Sequence, residues 1–389
     1  MPSDPVRTGQ VSHWYATPPD PRPRLPGDRD ADVCIVGAGF TGLWAAYYLK
    51  RADPSLRIIM LEAGFAGFGA SGRNGGWLSA LVPGDRGRIA QAHGRAGVVA
   101  WQRALIESVD EVIGVAEAEG IDAEIVKGGS LRVARTSAQQ ARLLSDVAED
   151  RRWGADVDML TADEAARRIR VAGLVSAAFT PDCARIQPAM LVRGLADVVE
   201  RLGVTIYEGV PVTEIRAGRA ETRSGRVDAP IVVRATEGFT PTLARLRRRY
   251  LPMNSSMIVT EPMATDVWAE IGWQGRETVG DEAHDFFYAQ RTADDRIAIG
   301  GRAAPYRYGS RIDRDGVVGM RTVRRLSDLA QRVPSGSRGR DHAWVVRCAW
   351  CATRLERSRR VRRCDRPGVG RWLRRTRRDG GEPRRSHAR

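Results

Sequence analysis

The chain has 389 residues, 42% of them hydrophobic, which is enough for two domains or one composite domain around a substantial core. Its formal charge of +15 is unevenly placed: residues 331–389 hold nineteen arginines against five acidic residues, so the body before them is within one charge of neutrality. No apolar stretch reaches the roughly 20 residues of a membrane-crossing helix, the N-terminus shows no charged start followed by an apolar run, and the five cysteines lack the spacing of a disulfide framework, so the cytoplasm is the expected compartment.

The first element is the apolar run Val33–Val36, suited to a buried parallel strand. Gly37, Gly39 and Gly42 follow it as G-x-G-x-x-G. In such a pattern the first glycine makes a tight turn, the second admits a pyrophosphate to the backbone, and the third lets a helix pack on the strand. The helix that follows, "LWAAYYLKR", would point its N-terminal N–H groups at the anion. A second strand, "RIIMLE", ends at Glu62, twenty residues after Gly42. A carboxylate there can accept from a ribose hydroxyl and would repel a 2′-phosphate. Strand, glycines, helix, strand and acid in this order predict a dinucleotide site.

The loop after the acid, "GFAGFGASGRNGGWLS", holds six glycines together with Ser71, Arg73 and Asn74. Clustered glycines permit close backbone approach and left-handed conformations, and Arg73 offers a charge-assisted fork to phosphate. An idle linker has no reason to begin directly after the ribose acid. An NAD-dependent dehydrogenase is the rival enzyme reading, and this loop argues against it.

Further along, residues 87–120 read as a long amphipathic helical stretch and 124–135 as strand, turn, strand. Thr161 and Glu164 fit a capping box opening a helix, and Pro188 suits the first turn of another. Residues 204–218 return to strand, and "PIVVRATEG" reads as a further buried strand. "NSSMIVTEP" and "DFFYAQRTADDRIAIGGR" are alternating or apolar strands.

The stretch "DVCIVGAGFTGLWAAYYL", the Glu62 spacing and "GASGRNGG" resemble the D-amino-acid-oxidase-like flavoproteins, in particular oxidoreductases of the gamma-glutamylputrescine type. The resemblance runs from about residue 14 to 325 and includes "ARIQPAMLVRGLA" and "VVRATEGFTP". It implies FAD rather than NAD, an α/β fold with a Rossmann-type FAD-binding domain, and a second α+β domain whose antiparallel sheet covers the flavin. The expected division is a discontinuous FAD domain, 31–83 and 182–237, and a substrate domain, 84–181 and 238–325. By the same resemblance the glycine-rich loop, with Ser71, Arg73, Asn74, Gly75 and Gly76, runs along the pyrophosphate toward the isoalloxazine. Val212 brackets the adenine through its backbone, and Thr236 faces the phosphates at the end of its strand. The implied reaction is oxidation of a small amine or amino acid to an imine, with oxygen as electron acceptor.

Catalytic residues are harder to choose. Such an oxidation needs the neutral amine held with its C–H over the flavin, and a dedicated base is not obligatory. The five histidines are scattered and form no acid–base dyad. His284, before the strand "DFFYAQ", is the histidine to consider near the flavin, with Tyr288 and Met257 as candidates for the substrate wall and Trp77 as a shield; a lone histidine is more often structural or exposed, aromatic and Met side chains on a strand are more often core, and Trp77 reads equally as core. A carboxylate-clamping arginine cannot be singled out, which leaves amine against amino acid open.

Three readings compete for the arginine block from residue 326 onward. A nucleic-acid arm is the usual meaning of a like-charge block. His342, Cys348, Cys351 and Cys364 match a zinc site poorly, so no metal is expected. The preferred reading is a shifted reading frame. Back-translated with one base discarded, "AWCATRLER" can spell "LGVPRDWS", and residues 371–389 can begin "GGYVG", segments typical of the resembled family's C-terminus. A GC-rich gene read out of frame also overproduces arginine, and 60 of the 62 basic residues are arginine. On this reading no nucleic-acid or membrane partner is expected, and residues 341–389 should lack packed structure.

Overall fold

The computed structural model describes residues 11–16, 19–82, 84–249, 252, 254–301, 318, 320–330 and 349–352, and all of these belong to one compact unit. The strand predicted around the glycine motif, Val33–Val36, is buried at every residue, as is Ile58–Leu61. The two pair in parallel with Val33 opposite Ile58. Ile231–Arg234 flanks the first and Thr205–Tyr207 the second, giving a four-stranded, wholly parallel sheet. Ile231–Arg234 is only half-buried, not the fully buried strand expected, because it is the sheet's edge.

Parallel sheets are covered on both faces, and two different layers do this here. On one face the helices Phe40–Ala52 and Pro188–Arg201 pack through Leu43, Ala46, Leu195, Val198 and Val199. Each such buried Leu or Val side chain contributes roughly 1.5–3 kcal/mol. On the other face Cys34, Val36, Ile59 and Leu61 meet Ala220 and Val227. These last two come from a second sheet made of Arg29–Asp30, Arg226–Asp228, Arg219–Thr222 and Val212–Arg216. The predicted 204–218 strand is therefore two strands serving different sheets.

The large sheet has eight strands, in the order Ala349–Ala352, Asn254–Val259, Ile297–Gly301, Phe287–Arg291, Thr278–Asp281, Ser130–Ala134, Ser176–Thr180, Asp158–Thr161. Every pair is antiparallel except Thr278–Asp281 with Ser130–Ala134, which is parallel. Its core holds Leu131, Val279, Phe287, Ile299, Trp268 and Trp273. The helix Met320–Ala330 seals it with Leu326 and Leu329, so the expected boundary at 325 falls inside a helix.

Several local expectations stand. The Thr161 hydroxyl accepts from the Glu164 N–H and the Glu164 carboxylate accepts from the Thr161 N–H, completing the capping box. Pro188 opens its helix. The long helix runs Arg86–Ala118 but is broken at Gly94, whose φ of 72° no helix accommodates. Residues 124–127 form a single bridge, Val126 to Arg185, rather than a strand. Residues 331–348 and 353–389, with most of the arginine block, His342, Cys348 and Cys364, lie outside the described residues. Within the block, Ala349–Ala352 departs from the expectation of no packed structure by pairing with Asn254–Met257. Backbone pairing asks little of side chains, and an edge strand offers unpaired N–H and C=O groups to an extended neighbour.

Candidate cofactor and active site

The end of the first strand builds a cradle from main chain. Gly37 has φ of 106°, and a Cβ there would stand 2.5 Å from the Ala235 carbonyl oxygen. A Cβ on Gly42 would stand 2.1 Å from the Gly37 carbonyl oxygen, so only glycine lets the helix approach the strand this closely. At Gly39 the neighbour is the Ser71 hydroxyl, 2.8 Å from where a Cβ would lie. That hydroxyl accepts from the Phe40 N–H at 2.9 Å, at the N-terminus of the first helix. The loop serine thus sits at an anion-favouring helix end.

Glu62 closes the other side. Its carboxylate accepts from the Ala38 N–H at 2.8 Å and the Gly64 N–H at 2.9 Å. A carboxylate offers about four acceptor positions, so two bonds leave capacity for a ribose. Burial raises its pKa, with the two backbone bonds opposing. The Glu62 carbonyl accepts from the Val210 N–H at 2.9 Å, and Val212 lies two residues on, at the start of Val212–Arg216. Thr236 follows Ala235 at the Gly37 turn, and its hydroxyl lies 2.9 Å from that of Thr240. Gly37, Gly39, Gly42, Glu62, Ser71 and Thr236 are therefore brought together by one turn and its neighbours.

The glycine-rich loop is braced internally. The Asn74 amide donates to the carbonyls of Ala70 and Ser71, and its oxygen accepts from the Gly76 N–H. Arg73 is turned inward, fully buried, with its guanidinium 4.5 Å over the Phe68 ring. The segment before the first strand supports the loop from outside. The Trp14 indole N–H donates to the Asn74 carbonyl at 2.9 Å, and the Tyr15 hydroxyl to the Gly67 carbonyl at 2.9 Å. Glu208, buried, accepts from the Ala66 N–H and from Arg22. Trp14, Tyr15, Arg22 and Glu208 went unread in the sequence, because their partners lie 52 to 186 residues away.

At its far end the loop meets the large sheet. A Cβ on Gly75 would stand 2.9 Å from the Tyr288 ring and 3.7 Å from the Met257 sulfur. Trp77 packs edge-on to Tyr288 with ring centroids 6.2 Å apart, and the Tyr288 and Ser255 hydroxyls are 2.9 Å apart. Tyr288 lies across Gly300, where a Cβ would stand 2.4 Å from its hydroxyl oxygen. So Tyr288 and Met257 converge on Gly75, and Trp77 packs against Tyr288. His284 does not join them: it is exposed, in the connection between Thr278–Asp281 and Phe287–Arg291. The buried thiols Cys34 and Cys183 are pushed up to about 12 and about 11 by burial, so neither is a nucleophile at neutral pH. A cavity of about 280 Å³ lined by Trp14, Gln187, Asp294 and Arg296 contains none of the predicted site residues and reaches the loop through Trp14.

These features fit FAD. The glycine cradle admits a pyrophosphate where a side chain would collide, Glu62 retains acceptor capacity for the ribose, and the loop leads to an aromatic wall. Comparison with known proteins agrees. A family model described as FAD dependent oxidoreductase (DAO) matches residues 32–374. The chain is 29% identical over 313 residues to gamma-glutamylputrescine oxidoreductase of Escherichia coli (strain K12), covering 78% of this chain and 72% of that one. It is 30% identical to the probable oxidoreductase OrdL of Rhizobium meliloti (strain 1021), covering 75% and 69%. Among solved structures, glycine oxidase from Geobacillus kaustophilus has the same fold, with a TM-score of 0.63 at 22% identity over 83% of each chain. L-proline dehydrogenase from P.horikoshii superposes with a TM-score of 0.64 at 17% identity over 84% of this chain and 82% of that one. The NAD-dependent alternative is thereby set aside, and the chain belongs to the family of FAD-dependent oxidoreductases.

Proposed function

We propose that the protein oxidises a small amine or amino acid to an imine, which water then converts to an aldehyde or keto acid, with oxygen as the terminal acceptor. The convergence of Tyr288 and Met257 on Gly75, with Trp77 packed on Tyr288, carries this reading, because it sets a largely apolar wall at the end of the glycine-rich loop. When bound, FAD takes up the hydride equivalent released from the substrate C–H. Gly37, Gly39, Ser71 and the first turn of Phe40–Ala52 would hold the pyrophosphate, Glu62 the ribose, and the Val212 backbone the adenine side. Tyr288 and Met257 would exclude water and orient the amine. Substrates of the relatives support the class: one acts on gamma-glutamylputrescine and another on glycine.

The two sheets support the expected division. All four strands of the parallel sheet fall within 31–83 and 182–237. Seven of the eight strands of the large sheet fall within 84–181 and 238–325. We assign FAD binding to the first pair of segments and substrate binding to the second. The cytoplasm remains the proposed compartment, supported by the unpaired, buried thiols of Cys34 and Cys183.

Titrating the purified chain with FAD and testing amines and amino acids for oxygen uptake checks the reading. Flavin absorbance bands with substrate-dependent bleaching are expected. A chain that takes up FAD but is bleached by no amine or amino acid overturns the substrate class, and one that takes up none overturns the cofactor assignment for this polypeptide.

We also propose that the gene is shifted by one base between the codons for Arg325 and Arg340. The abrupt charge boundary supports this. The match of the family model to residue 374 sets the competing expectation, that the block is a diverged family C-terminus. Resequencing the locus decides: a shifted frame encoding "GGYVG" and a tighter FAD site in the corrected protein are expected, and a confirmed frame with no such neighbour sinks the proposal.

A further inference from the structure

Gln290 stands two residues beyond Tyr288 on Phe287–Arg291, so both side chains leave the same face of the strand. Gln290 is fully buried. Its amide nitrogen lies 2.8 Å from the Gly75 carbonyl oxygen, 3.2 Å from that of Gly76 and 3.2 Å from that of Ile186. Three acceptors around one end decide the amide's orientation, since the opposite one would turn oxygen toward three oxygens. The closeness also explains a glycine: a Cβ on Gly76, where φ is 66°, would stand 1.9 Å from that nitrogen. The other end of the amide is unexpected. Its oxygen is buried and accepts no hydrogen bond from the described residues. A side chain kept only to fill space would be apolar, because a buried acceptor left unmatched is costly.

The three carbonyls belong to two separate parts of the nucleotide half. Gly75 and Gly76 end the loop that begins after Glu62. Ile186 leads from Cys183–Arg185 into the helix opened by Pro188, and its N–H donates to the Gly76 carbonyl at 2.8 Å. One amide on the large sheet thus ties the far end of the loop to the nucleotide half.

We propose that Gln290 is a positioning residue for the cofactor: from the substrate sheet it locks the Gly75–Gly76 end of the glycine-rich loop in the geometry that receives the flavin. The inference rests on FAD being the cofactor. It adds that affinity for the flavin end of FAD is set by a side chain of the opposite sheet.

The test uses the full chain with Gln290→Met, similar in length but without donors, and Gln290→Glu. Without cofactor, hydrogen exchange in peptides covering 72–80 should speed up about tenfold in Gln290→Met, while those covering 33–36 and 58–61 keep their rates. Affinity for FAD should fall about tenfold, about 1.4 kcal/mol, with affinity for ADP, which lacks the flavin, unchanged. In Gln290→Glu the deficit should narrow as pH falls, because only the protonated carboxyl can donate to a carbonyl. Unchanged exchange at 72–80 overturns the proposal. So does faster exchange throughout the chain, or an equal loss for FAD and ADP, which mark a merely structural role. The exchange experiment contains no cofactor, so it decides the tie even if the FAD assignment itself fails.

Discussion

The two halves of the site are built from different materials. The nucleotide side is mostly backbone: Gly37, Gly39 and Gly42 make room, N–H groups at a helix end face the space, and one carboxylate, Glu62, closes it. The sheet side is mostly side chain: Tyr288, Met257 and Gln290 come from two strands of the large sheet and face Gly75 and Gly76, with Trp77 packed on Tyr288. Backbone recognition leaves little freedom, because the groups that bind are those that make the turn. A side-chain wall can be rebuilt one residue at a time while the strands keep their register.

Replacing Gly42 by Val should be the most damaging change. Its Cβ would stand 2.1 Å from the Gly37 carbonyl oxygen, and either the helix or the turn must move. A loss of about 3 kcal/mol or more in chemical denaturation, with no flavin band, is expected. Near-normal stability and FAD uptake would show that the cradle is softer than a backbone-built site should be.

Glu62→Gln comes next, with FAD affinity reduced about tenfold, since a hydrogen bond to a charged group contributes roughly 1.5–3 kcal/mol. The same residue sets a pH dependence. Burial holds the folded-state pKa of Glu62 above its ordinary value near 4.5, so as pH rises the unfolded chain loses this proton first. The fold therefore loses stability between the ordinary and the raised value and carries the full penalty above the raised one. Ribose binding runs the other way, because the ionised carboxylate is the better acceptor: FAD affinity should rise as pH climbs through the raised value. FAD titrations across that range should show the slope in the wild type and not in Glu62→Gln. A slope that survives the substitution assigns it to another group.

At Tyr288 and His284 the expected effects are smaller. Tyr288→Phe removes the hydroxyl facing Ser255 and should cost about 1 kcal/mol in thermal or denaturant unfolding, with FAD affinity retained. A loss of FAD binding as large as that of Glu62→Gln would add the Tyr288 hydroxyl to the groups that hold the cofactor. His284→Ala should change stability by less than about 0.5 kcal/mol and leave turnover unaltered, because the side chain is exposed in a strand connection. A drop in turnover above tenfold would return His284 to the active site.

Much of the nucleotide half could be read from residue order. The motif Gly37, Gly39, Gly42 and the acid at 62 span 26 residues, and their spacing encodes the strand–turn–helix–strand geometry directly. Ser71, Asn74, Gly75 and Gly76 were legible as a loop with a purpose, but the burial of Arg73 over the Phe68 ring was not. The short "SHWYAT" segment gave no sign that Trp14 and Tyr15 brace that loop, and Glu208 gave none of its bond to Ala66. On the sheet side, Tyr288 and Met257 could be named as candidates yet not distinguished from core, while Gln290 drew no attention as one polar residue in a strand.

Order along the chain by itself determined the first pair of parallel strands, the glycine turn, the acid and a dinucleotide site, because each rests on contacts within a few tens of residues and on the stereochemistry of glycine; that the dinucleotide is FAD came from the resemblance of these segments to a known family. Only the tertiary structure decided what faces the far end of the loop. The pairing of Asn254–Val259, Ile297–Gly301 and Phe287–Arg291 sets Met257, Gly300 and Tyr288 side by side. The crossing of that sheet over residues 75 and 76 brings Gln290 within hydrogen-bonding distance of a loop 214 positions earlier. Side chains on a strand alternate faces whatever lies opposite, so their sequence records which residues share a face and not what that face will meet.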